Sequence, residues 1–591
     1  MESSKKNYLI LSGLLLFFVY SYAATMPSAF DNNDSPETAL ASYTLGISHP
    51  PAYPLFTLLG KTACIIGLGG PAFHASTLSV VLAFFTLFFI FVLASGARIK
   101  TGDNFYTGIF AVLLAGVSSL FWSQATDAKG GIYMLNLLFT ASCGILAIKI
   151  IRENSIKYMY LLAFVYGLSL SNHWPSMGVL FPVFIAPFII QRKSIKKGTG
   201  AIMCLLFLLG LTPYIYLSIR TGAMPILNIG QPGALKNFVW VVLRQGYDVL
   251  PFSFDLLLWQ AKEYFKIVVS NYEAFWIIAL AGGFMMYKKD KPWFSILAGI
   301  FVCNSFAVVF LNRNPIENPE IMKLFLLPSQ MAVAAFAAFG VTSFFATPGK
   351  LKNIAFAVFC VVFLLILGAF SYMENSSQRN FAAYDYGKNI LKTQGAKAIY
   401  VGEGAPALMP VYYAKYVLDN KGAQEIVALN FLYFDWGIAE FNKKYGSTKM
   451  APTKQGENFE EVLEKLKDRE VLLGTLQPEL NKLAVARGYE KQNGILWERG
   501  ERENAVTLPF YLYSYRGVAG EYLEQKKTSS EIGMTYSKAL LSCAKTMLTT
   551  GRYAEAVNLY TFALAFSNIG DIAAIEMDLE KAKKLSTKNK F

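Results

Sequence analysis

Residues 7–56 read NYLILSGLLLFFVYSYAATMPSAFDNNDSPETALASYTLGISHPPAYPLF. The run as far as Thr25 carries no charge, and its length is close to the roughly 20 residues that take a helix across a bilayer. The character then changes at once. Asp31, Asp34, Glu37 and His49 arrive among Pro36, Pro50, Pro51 and Pro54, before apolar residues resume at Leu55. A span that opens into such a segment sets acids and turns at a membrane rim. Ionisable groups there are costly, and function is the usual reason to keep them.

The same apolar pattern recurs along the chain. Runs near 8–26, 76–96, 105–121, 132–150, 158–171, 175–191, 199–219, 268–287, 292–311, 325–346 and 352–372 read as about 11 transmembrane helices. The 591 residues are 54% hydrophobic and 16% charged, against about 25% charged in an ordinary soluble domain. The fold class expected is therefore a polytopic α-helical membrane protein, and one large soluble core is excluded. The net charge of +14 sits in short clusters between apolar runs, so it points to membrane topology and not to nucleic acid. The first run is too long, and has too many runs behind it, to be a signal peptide. Six scattered cysteines with no CxxC give neither a disulfide framework nor a zinc site.

Orientation follows from the basic residues. Lys5/Lys6, Arg98/Lys100, Lys149/Arg152/Lys157, Arg192 to Lys197, Lys288 to Lys291 and Lys350/Lys352 fall in alternate short connections. That side is expected to be cytoplasmic. With an odd number of spans, residues 373–591 lie outside. All three histidines, His49, His74 and His173, then share the outer face with Asp34, Glu37 and Asp127.

Several outer residues are candidates for chemistry. Asp34-Ser-Pro-Glu37 matches a helix-capping pattern, with an acid at the cap, proline in the first turn and glutamate at the third position. A carboxylate held that way remains able to act as a general base. His49 either donates to a phosphate or clips the Pro-Pro turn behind it. Asn172 and His173 lie in a polar turn between two runs, where function and satisfied packing weigh equally. Arg220, Arg244 and Arg313 lie beside the membrane, where a guanidinium fork matches phosphate oxygens or simply anchors a loop. Trp122 reads as part of an interfacial aromatic belt, and 54–70 as a helix lying in the interface.

Taken together, DSPETALASYTLGISHPPAYPLFTLLGK, SSLFWSQA followed by IYMLN, GLSLSNHW, PYIYLSIR followed by GQP, and FLLPS resemble the protein O-mannosyltransferase-like membrane family over roughly residues 8–420. The resemblance implies a GT-C type fold and a sugar donor linked to a polyprenyl or dolichyl phosphate. It places Asp34 at the catalytic acid position, with Glu37 beside it. It makes His49, Tyr133, Asn172, His173, Arg220 and Arg244 candidates for substrate binding. The sequence departs from the family pattern at Gly131, where an acid often stands two before the tyrosine, at Ala52, the usual glycine after HPP, and at Ile229–Pro232, which reads IGQP. Asp127 or Lys129 is a possible stand-in for the missing acid. No metal or cofactor is assigned, and metal dependence stays open.

Beyond about residue 373 the hydropathy drops. The domains expected are a membrane domain over 1–372, an α/β region over 373–500 that includes the strand-like AIYVG, and a helical tail over 501–591. In the tail Gly551, Tyr553, Ala556, Tyr560 and Ala563 have the spacing of a TPR hairpin, which suggests a protein partner. The functional reading is a glycosyltransferase acting on an extracytoplasmic hydroxyl of protein or glycan, in a bacterial inner membrane or an endoplasmic reticulum membrane. The alternatives are a transporter or flippase of a lipid-linked saccharide, which would want charges along a midplane path, and a non-catalytic scaffold.

Overall fold

A computed structural model describes residues 2–30, 34–67, 69–97, 104–247, 251–272, 275–311, 320–345, 350–419, 424–446, 450, 458–474, 476–518, 527–567 and 569–588. Arg313, named above, lies outside these residues. The chain divides into two compact units. One comprises Met1–Met26, Ser42–Gly69 and His74–Ser376, and the other Pro27–Ala41, Gly70–Phe73 and Ser377–Phe591.

The first unit holds seven described helices long and apolar enough to cross a membrane. They are Lys5–Thr25, Pro71–Ser95, Gly130–Glu153, Lys197–Gly222, Lys291–Phe310, Leu327–Phe344 and Ile354–Asn375. Three bent pairs bring the number to ten if each is one span. The runs expected near 158–171 and 175–191 form one such pair, Ile156–Gly178 and Phe181–Ile190, bent by 110°. Large apolar side chains such as Leu205, Ile219, Ile277 and Phe370 are exposed. Lipid is the solvent that suits them, at about 25 cal/mol for each Å² kept from water.

Between lipid-like surfaces there is little hydrophobic drive for helices to associate, so close approach through small residues matters. Helix α1 is Ser35–Thr44, α2 is Pro54–Ile66, α3 is Gly130–Glu153, α4 is Ile156–Gly178, α5 is Lys197–Gly210 and α6 is Ile215–Gly222. A Cβ on Gly167 of α4 would stand 2.2 Å from the Phe207 carbonyl oxygen of α5, and one on Gly210 would stand 2.5 Å from that of Phe164. Gly282 and Gly340 bring the helices Phe275–Lys289 and Leu327–Phe345 together in the same way.

Where a helix breaks, its freed carbonyls need donors, because lipid supplies none. The pair Asn104–Gly116 and Ser119–Thr126 bends by 71°. At the break the Tyr22 hydroxyl donates to the Gly116 carbonyl at 2.8 Å, and the Ser371 hydroxyl to that of Val117 at 2.5 Å. Trp122 sits just beyond. It is fully buried and donates through Nε1 to Thr25 Oγ1 at 2.8 Å. The sequence reading set Trp122 in an interfacial belt, and this corrects it. The indole is held by a buried hydroxyl, not by a headgroup layer.

The second unit is built on a five-stranded sheet. Strands β1 (Ile399–Gly402), β2 (Glu425–Ala428), β3 (Val471–Leu473), β4 (Lys491–Asn493) and β5 (Leu496–Glu498) lie in the order β2-β1-β3-β5-β4. β1 is parallel to both β2 and β3, with Ile399 opposite Glu425 and Val471, and β5 closes antiparallel. All four β1 residues are buried, as expected of a central parallel strand covered on both faces. Glu425 carries an ion cluster: it accepts from the Tyr445 hydroxyl at 2.6 Å and pairs with Lys444 at 2.9 Å and Arg469 at 2.8 Å.

Helix α7 (Ala382–Thr393) joins this sheet region to the tail. Its Asp385 carboxylate is buried and takes Arg516 through two guanidinium nitrogens, at 2.7 and 3.1 Å. Its Asn389 amide both donates to and accepts from the Ser514 backbone. The tail forms α8 (Lys527–Thr549), α9 (Tyr553–Leu564) and α10 (Ile569–Lys588). Ala556, Tyr560 and Ala563 are fully buried, and Gly551 makes the turn at φ +79°. One hairpin cannot cover its own apolar face. Here α10 and the rings of Tyr515 and Tyr536 pack on it, with Phe566 5.0 Å from Tyr515. The start of the polar stretch joins this unit too: the Phe30 ring meets Tyr413 edge-on at 4.9 Å, and Ala72 N–H donates to the Tyr413 hydroxyl at 3.1 Å.

Replacing Gly167 by leucine should overpack the α4–α5 contact by about 1–3 kcal/mol or more and lower the yield of monodisperse protein in detergent. Gly13→Leu is the control, since nothing lies within 4 Å of a Cβ there. Equal size-exclusion profiles for the two variants would disprove the contact. The Glu425 cluster gives a second expectation. Burial alone would raise its carboxyl, but hydrogen bonds from Tyr445, Lys444 and Arg469 hold it down to about 2. An acid depressed on folding stabilises fully above its unfolded value of about 4.3. It loses that contribution as pH falls through the folded value. Glu425→Gln should therefore lower the melting temperature at pH 7, and the difference should close between pH 4 and 2. A gap that persists at pH 2 would show that the charge is not the source.

Candidate active site

Pro36 in the first turn and an acid at the cap position before it predispose 34–44 to start a helix. In the structure the Asp34 carbonyl accepts from the Thr38 N–H and from Thr38 Oγ1, both at 2.9 Å. Asp34 thus occupies the cap of α1, half-buried, with Glu37 in the first turn and only 2% exposed. Both acids belong to the second unit, while His49, Tyr133, Asn172, His173, Arg220 and Arg244 belong to the first.

Within the first unit the segment 44–53 is gripped at several points. Arg220 of α6 donates to the Leu45 carbonyl at 2.7 Å and to that of Thr44 at 3.0 Å, capping the last turn of α1. Ile47 pairs as a parallel bridge with Asn228, just before the IGQP turn. Gly46 must stay small there, since a Cβ would stand 2.9 Å from Leu227 Cβ. Tyr247 donates to the Pro50 carbonyl at 3.3 Å. The Pro50–Pro51 bond is cis. Ala52 and Tyr53 follow at φ +72° and +47°, a region that costs a residue with a Cβ about 1–2 kcal/mol. The first of these is where the resembled family carries glycine.

This turn delivers Tyr53 into a cluster drawn from four of the quoted motifs. The Tyr53 hydroxyl lies 2.9 Å from His49 Nε2, and Lys129 Nζ lies 3.1 Å from the same nitrogen and 4.2 Å from the Tyr53 ring centre. Tyr53 and Lys129 thus converge on the same ring nitrogen of His49. His173 is stacked between Tyr53 at 5.7 Å and Phe325 at 5.9 Å, with Tyr133 edge-on to it at 5.9 Å.

His173 owes its position to a break in α4. Pro175 cannot donate within a helix, and His173 leaves helical geometry at φ −145°, ψ 83°. Its Nδ1 then takes the Ser176 hydroxyl at 2.7 Å and the Ser176 N–H at 3.4 Å, as a cap for the helix that restarts. That leaves the imidazole proton on Nε2, ready to donate. One residue back, Asn172 Nδ2 donates to the Ile132 carbonyl at 2.9 Å and to Asn136 Oδ1 at 2.7 Å. The opposite ends of this amide pair, Asn172 Oδ1 and Asn136 Nδ2, are buried without a hydrogen-bond partner. Arg244 lies over the Tyr247 ring at 4.6 Å, and its Nε is likewise buried and unpartnered.

The missing acid at 131 has a steric account. A Cβ on Gly131 would stand 2.5 Å from Ser79 Oγ and 2.7 Å from the Phe56 ring. Of the two residues offered as its stand-in, Asp127 caps α3 by accepting from the Gly130 N–H at 3.1 Å, and Lys129 faces His49. Tyr53 and Phe325 were not singled out from the sequence. Their signal was their place inside HPPAYP and FLLPS, two motifs otherwise counted as turn and support.

A membrane-embedded chain that gathers DSPE, HPP, IYMLN and SNHW in this order is similar to protein O-mannosyl-transferases. A family profile described as the protein O-mannosyl-transferase TMEM260 N-terminal domain matches residues 34–198. The mouse protein O-mannosyl-transferase TMEM260 is 23% identical over 452 residues, covering 70% of this chain and 62% of the mouse protein. The Dictyostelium discoideum protein of the same name is 22% identical over 422 residues, covering 63% and 51%. The matches thus span between half and two thirds of those relatives' lengths. Among solved structures, the apo oligosaccharyltransferase of Archaeoglobus fulgidus aligns with a TM-score of 0.47 at 11% identity, over 78% of this chain and 69% of that one. ArnT from Cupriavidus metallidurans bound to undecaprenyl phosphate aligns at 0.46 and 10%, over 81% and 94%.

Ala52→Gly should be neutral or stabilise by up to about 1 kcal/mol, because relief of the positive φ is partly offset by a freer unfolded chain. Ala52→Val should destabilise by about 1–3 kcal/mol. Thermal melts in detergent decide this. A valine variant as stable as the parent would mean that the turn is not held in this conformation.

Proposed function

We propose that this chain is a GT-C type glycosyltransferase of the membrane, which moves a sugar, mannose by similarity to its relatives, from a polyprenyl- or dolichyl-phosphate donor to a hydroxyl on protein or glycan. The observation that carries the reading is the match to protein O-mannosyl-transferases over 34–198, a stretch that contains both acids of α1 and most of the His49–Lys129–His173 cluster.

In this reading the acceptor oxygen attacks the anomeric carbon as the bond from that carbon to the phosphate oxygen breaks. The acceptor proton passes to the Asp34 carboxylate, and the lipid phosphate leaves as an anion. One displacement inverts the anomeric centre. Arg244, with a buried Nε that lacks a partner, and Lys129 supply positive charge for the leaving phosphate. Fixed charges in a water-poor recess are worth more than in solution. His173 Nε2–H and the Tyr53, Tyr133 and Phe325 rings suit a donor for a sugar hydroxyl and apolar faces for the pyranose. Glu37 holds the start of α1. Arg220 spends donors on the Thr44 and Leu45 carbonyls, so its role is to end that helix beneath the HPP turn.

Sidedness supports an extracytoplasmic site. The 110° bend between Ile156–Gly178 and Phe181–Ile190 returns the chain toward the side it came from. That keeps Lys149–Lys157 and Arg192–Lys197 together on the basic, cytoplasmic face. The tail is a candidate docking element for the acceptor or a partner.

The test is transfer from a synthetic polyprenyl-phosphate sugar by purified protein. Asp34→Asn should lower kcat by at least about 100-fold, the range of general-base catalysis, with an unchanged melt. Arg244→Leu should instead raise the donor KM by about 10- to 100-fold, as for a lost hydrogen bond to a charged group. Full activity of Asp34→Asn would remove that residue from the mechanism. Saccharide flux into vesicles without transfer would favour a flippase.

A further inference from the structure

The helical tail carries a feature that sugar transfer leaves unexplained. Two adjoining grooves, of about 230 and 390 Å³, share Lys538, Leu541 and Lys545 of α8. Lys538 and Lys545 are seven residues apart, two turns of helix, and so lie on one face; both are exposed. The larger groove adds Arg502 and the hydroxyls of Ser542, Thr546 and Thr549, and no carboxylate lines it. None of the three cations has an ion-pair partner among the described residues. The smaller groove has a different character. Met534, Phe566 and Ile575 make it apolar, and Asp571 and Asp578 of α10 lie at its far wall.

Three unpaired cations in one concavity repel one another until an anion arrives. The apolar extension asks for a ligand with a greasy part beside its charge. The aspartates on the far wall disfavour a ligand that is anionic throughout. We propose that this double groove docks an acidic-then-apolar peptide segment of a partner protein. Carboxylates would meet Lys538, Lys545 and Arg502, and an apolar side chain would pack against Phe566 and Ile575. The charge asymmetry also sets direction, with the acidic part toward Arg502 and the apolar part toward α10. An anionic membrane surface fits less well, since it is flat and would meet Asp571 and Asp578 as readily as the lysines.

The experiment uses the full chain in detergent and a dye-labelled peptide with a block of glutamates followed by leucines, read by fluorescence anisotropy. Binding is expected, and it should weaken about tenfold or more in Lys538→Glu/Lys545→Glu, which is about 1.4 kcal/mol. Leu541→Asp should weaken it as well. Lys538 and Lys545 are exposed, so melts of the lysine variants should match the parent; if the double glutamate variant melts early, Lys538→Gln/Lys545→Gln carries the same expectation. Equal affinity of parent and lysine variants would overturn the proposal. So would equal binding of a lysine-for-glutamate peptide, binding indifferent to Leu541→Asp, or displacement of the peptide by phosphatidylglycerol vesicles alone. Sugar transfer is not the readout, so the result is independent of the glycosyltransferase reading.

Discussion

Backbone contact between α4 and α5 is the constraint on which the candidate site rests. Gly167 and Gly210 each face a carbonyl of the opposite helix with no room for a side chain. Van der Waals contact at that range replaces the hydrophobic drive that lipid removes. It also fixes the axis of α4 one and a half turns before Asn172 and His173. The Pro175 break then turns the imidazole out of the helical path and into the aromatic cluster. The site's geometry is therefore inherited from two glycines that take no part in its chemistry.

The same economy explains which parts were legible in the sequence. Apolar runs are long and each reports its own burial, so the apolar helices, the α2 segment and the buried strand AIYVG could be read directly, while the bends that break three of the runs could not. The cap at Asp34 could be read too, because capping is a local matter. What a single sequence hides is what meets across distance. Trp122 looks like any interfacial indole until Thr25 is found beneath it. Lys129 looks like a loop lysine until His49 is placed 3.1 Å away. Gly131 looks like a lost acid until Phe56 and Ser79 are seen to fill the space. Tyr53 and Phe325 were already inside recognised motifs, and only the fold says that those motifs share one imidazole.

Arg220 and Arg244 illustrate how residue type alone divides poorly into roles. Arg220 lies in α6 at the end of a span, and Arg244 just beyond the helix Leu235–Val242. One satisfies helix-terminal carbonyls, an ordinary need wherever a helix ends. The other leans on Tyr247 with a buried nitrogen unmet. The distinction lies in what each guanidinium already holds, and only coordinates supply it.

Among the described residues β2 and β4 are the outermost strands of the second unit's sheet, and Val506 bridges β4 at Asn493. Both edge strands are short, and each opens on a charged residue, Glu425 on β2 and Lys491 on β4. Glu425 gathers Lys444 and Arg469, and Lys491 pairs with Glu498 at 2.6 Å. Fixed charges on a brief edge are how β-proteins discourage a foreign strand from adding itself. The charge that holds Glu425 in its ion cluster thus also guards the border of the sheet, since a strand adding itself at β2 would have to bury that cluster.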